Sequence, residues 1–328
     1  MITLRLTNRR RESGLRQEMP SISGILPIKD GQRWIARNFP RILVNLAVDD
    51  ELVVIDDGST DASYKMVMSF AESDERITVH QTKGIGLVDS LNLGISASKY
   101  DWLARFDIDD FYSRDRISLQ RARIENSVSA IFCDYRILHN GKSNLGLIPS
   151  PLNEYATRIS LLRSQRTAHP SVIINKSKLL KVGGYLQNEY PAEDLGLWTR
   201  LASVGQLVSI PHEGLYYNLR KGSISRENQD LISNKRELII DKFMKNLDID
   251  LIYNSLNATE DIYSSIPYGR ERTLLHYWDL LHSKSRELLG HKRVREIEVK
   301  LGRLLLNPLN SSSVLSLAFY RGLRRLYK

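Results

Sequence analysis

Leu52-Val53-Val54-Ile55-Asp56-Asp57-Gly58-Ser59-Thr60-Asp61 is an apolar run that stops abruptly in acids and turn-forming residues. So short a run, bounded by turn residues, reads as a strand buried on both faces, the mark of a parallel sheet. A second such run, Trp102-Leu103-Ala104-Arg105-Phe106-Asp107-Ile108-Asp109-Asp110, also ends in carboxylates. In open α/β sheets ligands bind beyond the carboxyl ends of the parallel strands. Two strands ending in acids make one acidic rim, and repulsion within it calls for a cation or hydrogen-bond donors. A hard divalent ion bridging to a diphosphate meets that need, because Mg²⁺-like ions take one or two carboxylates plus phosphate oxygens.

Working outward, strand-like and helix-like segments alternate, which predicts an α/β domain. Strands are expected over residues 21–28, 51–55, 77–81 and 100–106. Helices are expected over 32–46, 61–72, 87–98 and 113–125, the last opened by a serine cap at Ser113. Further strands are expected at 130–138, 171–175, 206–210 and 215–219, and helices at 153–164 and 193–203. The last of these carries an apolar stripe of Leu197, Trp198, Leu201 and Ala202. Beyond about residue 227 the pattern is helical alone, for example over 231–246 and 293–306. That divides the chain into a basic tail (1–20), an α/β domain (21–226) and a helical C-terminal region (227–328).

Composition narrows the function. The chain has 328 residues, 42% hydrophobic and 26% charged, ordinary values for a globular protein with ample core. Its single cysteine, Cys133, excludes an intramolecular disulfide framework and a cysteine-rich zinc site. No apolar run approaches the roughly 18–20 residues that span a bilayer, and residues 1–20 lack the apolar core of a signal peptide. A cytoplasmic protein is expected, or one peripheral on the inner face of the cytoplasmic membrane. The net charge of +9 suits an anionic membrane or an anionic small substrate. Nucleic acid is not an expected partner, since none of its recognition motifs is present. Residues 311–328 contain no acid. Wound as a helix, they set Leu315, Phe319, Leu323 and Leu326 opposite Arg321, Arg324, Arg325 and Lys328, with Leu317 the exception. Such a helix either contacts an anionic membrane or packs on the preceding helices.

Three motifs carry chemistry, each with a plainer alternative. Gly58 lets the backbone approach a ligand closely, and an aspartate beside it can accept from a base N–H or a ribose hydroxyl. The same Asp-Gly-Ser can simply cap a helix. In Asp107-Ile108-Asp109, strand alternation sends both acids to one side, with Asp110 turned away or capping the next loop. The trio is a metal site or an acidic loop. Glu193-Asp194 opens a helix, where acids are catalytic or only complement the macrodipole.

Taken in order, residues 53–61, Lys83-Gly84-Ile85-Gly86-Leu87, Leu91-Asn92-Leu93-Gly94 and residues 104–110 resemble family 2 glycosyltransferases of the GT-A fold. The motifs of that family read VVDDGSTD, NxGLxxALNxG and ARMDADD. His169-Pro170-Ser171, Val182-Gly183-Gly184-Tyr185 and residues 192–201 are similar to its HPS, VGGY and EDYDLWLRL. Tyr217, Arg220, Gly222, Ser223 and Ser225 are similar to its YRxxxxSxS, so the match runs from about residue 21 to 225.

The resemblance implies a mostly parallel sheet flanked by helices, here with a helical C-terminal extension. It also implies inverting, Mn²⁺- or Mg²⁺-dependent transfer from a nucleotide-diphosphate sugar, expected to be a UDP-sugar. The acceptor would be a hydroxyl of a glycan or lipid-linked molecule of the cell envelope. Asp56 and Asp57, with Gly58 and Ser59, match the base- and ribose-binding turn, and Pro27 the proline that ends the first strand. Asp107 and Asp109 match the metal motif, Asp109 as direct ligand and Asp107 nearer the ribose. Asp194 matches the general base and Glu193 its neighbour. Lys83 stands where the family often has asparagine, facing a phosphate or solvent. Gly196 departs from the family's fourth acidic-motif residue, and His169 reads as a supporting residue, not a metal ligand. The rivals are a nucleotidyltransferase, for which Lys29-Asp30-Gly31-Gln32-Arg33 is a poor triphosphate loop, and a non-catalytic nucleotide-sugar-binding protein. Intact Asp107, Asp109 and Asp194 argue against the second.

Overall fold

Strand β1 (Ile22–Ile28) buries every residue but Pro27, and β2 (Glu51–Asp56) every residue but Glu51, as strands covered on both faces must. The computed structural model describes residues 19–141, 143–151, 154–163, 166–220 and 229–245. In it β1 runs parallel to β2 on one side and to β4 (Trp102–Arg105) on the other, with β3 (Ile77–Gln81) parallel beyond β2. Alternation sends Leu26, Ile28, Leu52 and Val54 to one face, against Ile35, Phe39 and Ile42 of helix α1 (Gln32–Asn45). Helix α2 (Ser63–Ala71) adds Val67 to the same core. Ile25 points the other way, against Val88, Leu91 and Ile95 of α3 (Leu87–Ala97). That contact needs Gly94, since a Cβ there would lie 2.7 Å from Ile25 Cγ2.

The second half of the sheet is mixed. β4 meets β8 (Ile173–Asn175), which meets β6 (Val128–His139), and both pairs are antiparallel. β6 then runs parallel to β9 (Gln206–Leu219), while β5 (Phe111–Tyr112) closes the far edge and β7 (Ser143–Ile148) folds back on β6. The order is β3-β2-β1-β4-β8-β6-β9-β5, with β7 beside β6. Around it lie α4 (Arg116–Arg121), α5 (Glu154–Arg163), α6 (Lys176–Lys181), α7 (Glu193–Leu201) and α8 (Gln229–Lys245). Leu195, Leu197, Trp198 and Leu201 of α7 share a core with Ile239 and Phe243 of α8.

Two expectations are corrected. The strands expected at 206–210 and 215–219 are one strand, because the register jumps from Cys133↔Ile210 to Asp134↔Glu213. Pro211 and His212 fall in that bulge, where a missing N–H breaks no ladder bond. Ser113 caps no helix. Its N–H donates to Gly214 O at 3.2 Å beside β9, its hydroxyl meets His212 Nε2 at 3.0 Å, and α4 begins three residues later. The helices expected at 293–306 and 311–328 lie outside the described residues.

Candidate active site

The carboxyl ends of β1, β2 and β4 lie along one edge of the sheet, and the sequence-predicted acids gather there in two places. At the end of β2, Asp57 Oδ1 accepts from Thr82 Oγ1 and the Ile85 amide, each at 2.7 Å. Oδ2 accepts from the Gly86 amide at 3.0 Å and lies 3.9 Å from Lys29 Nζ. Burial works against the charge, but the Thr82, Ile85 and Gly86 donors and Lys29 outweigh it and hold this carboxyl below its usual range. Asp57 thereby fastens the Thr82–Gly86 loop. Gly58, at φ +68°, sits so close that a Cβ would be 2.8 Å from Gly84 N. Asp56 Oδ1 accepts from the Ser59 amide at 3.1 Å, Ser59 Oγ accepts from the Asp30 amide at 3.0 Å, and Asp56 Oδ2 is buried with no partner. Pro27 pairs with Ile55. Lys83 is exposed, and Lys29 is the lysine beside Asp57.

The second place is a cavity of about 350 Å³. Arg105, Asp107, Asp109 and Asp110 line it together with Glu193, Asp194 and Pro191, and His169, Tyr135, Tyr217, Asn218 and Arg220 are among the other lining residues. Asp107 and Asp109 do share the site, but through a turn closed by the Asp110 amide on Asp107 O at 3.4 Å, not through strand alternation. The turn also corrects the expectation for Asp110, which faces the same cavity. Its Oδ1 accepts from the Asn218 amide at 2.7 Å, its Oδ2 is buried and unpartnered, and burial, then Asp109 and Asp107, push it well above the usual carboxylate range.

Two guanidinium groups balance the acids. Arg105 is 4% exposed and its Nη2 donates to Asp107 Oδ1 at 2.7 Å, while Arg220 Nε donates to Asp109 Oδ2. Tyr112 braces the turn, its Oη accepting from the Asp107 amide at 2.6 Å. Beneath it the wholly buried Arg116 guanidinium lies 4.8 and 4.9 Å from the Phe106 and Tyr112 ring centres. Arg105 had a readable signal, a charge inside an apolar strand, which a core tolerates only with a partner. Arg220 was readable through its motif; Lys29 and Asn218 had no local signal.

To the same cavity α7 contributes Glu193 and Asp194. Burial first, then the Asp194 charge, pushes Glu193 up to about 7. Asp194 Oδ1 accepts from the Leu195 amide at 2.7 Å, and Arg236 of α8 interacts with it electrostatically. His169 Nε2 meets Tyr185 Oη at 2.7 Å, and burial, then Arg105, holds the ring well below its usual pKa, hence neutral. Glu193 leads to a prediction about stability. Its pKa rises from an ordinary 4.5 to about 7 on folding, so the folded state binds the proton more tightly. The resulting stabilisation is full below pH 4.5 and is lost as pH climbs towards 7. Glu193→Gln should therefore match wild type near pH 4.5 and exceed it by on the order of 2–3 kcal/mol at pH 8. Denaturant unfolding at both pH values checks this, and a difference that does not change with pH would refute it.

A hard cation fits the donor set. The acids present carboxylate oxygens only, with Asp110 Oδ2 unpartnered, yet no group of three or more metal-ligating side chains converges among the described residues. One or two carboxylates with a diphosphate completing the shell is the arrangement these residues allow.

Comparison with known proteins identifies the family of this domain. The family model for glycosyl transferase family 2 matches residues 23–182. An uncharacterized glycosyltransferase of Haemophilus influenzae is 23% identical over 277 residues, covering 74% of this chain and 81% of its own. The Escherichia coli UDP-Gal:alpha-D-GlcNAc-diphosphoundecaprenol beta-1,3-galactosyltransferase is 25% identical over 190 residues, 54% of this chain and 66% of that protein. The mannosyltransferase PcManGT from Pyrobaculum calidifontis, solved with GDP-Man and Mn²⁺, superposes with a TM-score of 0.56 at 16% identity, over 92% of this chain and 85% of that one. Residues 23–182 are a glycosyl transferase family 2 domain, and the chain is a glycosyltransferase of the GT-A fold.

Proposed function

We propose that the enzyme moves a sugar, with inversion, from a nucleotide-diphosphate donor to a hydroxyl of a glycan or lipid-linked acceptor, assisted by Mn²⁺ or Mg²⁺. The observation that carries this is two sets of carboxylates lining one cavity, with two guanidinium groups paired to the set on the Asp107 turn. Asp109 and Asp107 would hold the cation, which when bound neutralises charge building on the leaving diphosphate. Arg105 orients Asp107. Arg220, now on Asp109, leaves a cation beside the diphosphate once that carboxylate is engaged. Asp194 takes the proton of the acceptor hydroxyl as it attacks. Burial and the Asp194 charge push Glu193 up to about 7, so near neutral pH the two acids of α7 carry less than two negative charges, and Asp194 is the proposed base.

Asp56, Asp57, Gly58 and Ser59 form the turn against which the nucleotide lies, with Lys29 beside Asp57. A UDP-sugar is the proposed donor and an undecaprenyl-diphosphate-linked glycan the proposed kind of acceptor; the E. coli relative's name supports both. No helix among the described residues is long and apolar enough to cross a membrane. Action at the cytoplasmic face of the membrane is proposed, with residues 227–328 as a helical region whose first helix, α8, packs on α7. A thermal-shift panel of UDP-, GDP- and dTDP-sugars with and without Mn²⁺ tests the donor. A donor at about 100 times its dissociation constant should stabilise by roughly 2.7 kcal/mol, and only with the metal. A metal-independent shift, or none with any donor, would overturn the reading.

A further inference from the structure

Gly196 lies in the interior of α7, where glycine weakens a helix relative to alanine. Its surroundings show what it makes room for. A Cβ on Gly196 would lie 2.1 Å from Glu189 Oε2 and 2.3 Å from its Cδ, so the Glu189 carboxylate occupies the space of a side chain at 196. That carboxylate is forked onto Arg200, with Nε donating to Oε1 at 3.2 Å and Nη2 to Oε2 at 2.7 Å. Both side chains are mostly buried, at 12% and 17% exposed. The remaining nitrogen of Arg200, Nη1, donates to Val182 O at 2.6 Å and Gly184 O at 2.8 Å. Next to Gly184, Tyr185 is held at both backbone atoms by Asn92, at 2.9 and 3.0 Å, and its hydroxyl meets His169 on the cavity wall. One ion pair thus ties together the turn Gln187–Glu189, the Val182–Gly184 loop and the helix that carries the acids. Only three residues separate Glu189 from Glu193, and one of them, Pro191, lines the cavity.

We infer that Glu189 is a positioning residue for Glu193 and Asp194: seated in the space left by Gly196, it sets through Arg200 where the first turn of α7 meets the cavity. The inference deepens the proposed function and rests on it for the meaning of those two acids.

The shared space makes the test specific. Gly196→Ala, a change that ordinarily strengthens a helix, should expel the carboxylate and mimic Glu189→Ala. Once Glu189 is alanine, adding Gly196→Ala should cost nothing more. Glu189→Ala with Gly196→Asp should restore the wild type, since residues 196 and 200 are one helical turn apart and an aspartate there can reach Arg200. Two readouts are taken well below every variant's unfolding temperature. The first is the midpoint of the Glu193 carboxyl in ¹³C NMR, its resonance identified by its loss in Glu193→Gln. The second is kcat and KM for Mn²⁺-dependent hydrolysis of the donor that the panel selects. Glu189→Ala should move the midpoint by about one pH unit or more and lower kcat about 10–100-fold at unchanged donor KM. Combining Glu189→Ala with Gly196→Asp should recover both. An unmoved midpoint with unchanged kcat, or additive effects of Glu189→Ala and Gly196→Ala, would overturn the inference. Absence of turnover in the wild type would count against the proposed function, while the midpoint would still decide this inference. If Glu189→Ala does not fold, the isosteric Glu189→Gln is read the same way.

Discussion

Asp109→Asn is expected to remove nearly all transfer activity while the protein stays folded. Asparagine keeps the shape of the side chain but takes away the charge that a hard cation requires of its ligand. Lewis-acid neutralisation of a leaving diphosphate is worth several kcal/mol, and each 1.36 kcal/mol is a factor of ten, so a loss of about 10²–10³-fold or more is expected. The fold should survive for three reasons. The Asp109 carbonyl still accepts from Asn218 Nδ2 at 3.1 Å. One charge fewer relieves the crowding that raises Asp110. Arg220, 28% exposed, is solvated enough to lose an ion partner at little cost. Turnover across a Mn²⁺ series, alongside circular dichroism, checks this. Near-normal activity in Mn²⁺ would remove Asp109 from the metal site.

Asp194→Asn should lower transfer by roughly 10²–10⁴-fold, the usual share of a general base. Its Oδ1 already accepts from the Leu195 amide, and an asparagine oxygen does the same, so α7 keeps its start. Donor affinity should hold, because Asp194 sits on α7 and not on the turn proposed to hold the cation and diphosphate. The Asp194 charge also helps to raise Glu193, so the Glu193 midpoint should fall in this variant. An equal loss of donor affinity, measured by calorimetry with UDP and Mn²⁺, would instead make Asp194 a residue that only caps α7.

The parallel half of the fold is legible in the chain. Strands β1, β2 and β3 and helix α3 fall within a residue or two of their expected bounds, because apolar runs and helical spacing are local signals. Asp107, Asp109, Glu193 and Asp194 are readable as candidates for the same reason: acids at strand ends and helix starts stand out against apolar neighbours. The chain alone did not show how those acids are used. Strand alternation pairs Asp107 with Asp109 and turns Asp110 away, whereas a turn brings all three to the cavity. Asp110 is held there by the Asn218 amide 108 residues on, and Asp109 by Arg220 at a separation of 111. Residues 206–210 and 215–219 read as two strands until β6 supplies the register jump that joins them, and Gly196 as a departure from the family's acidic motif until Glu189 fills its space. Backbone state follows from neighbours a few residues away and so can be read along the sequence. The charge balance and the shape of the cavity come from side chains that meet only when the sheet closes, because those interactions act over a few ångströms of space whatever the distance along the chain.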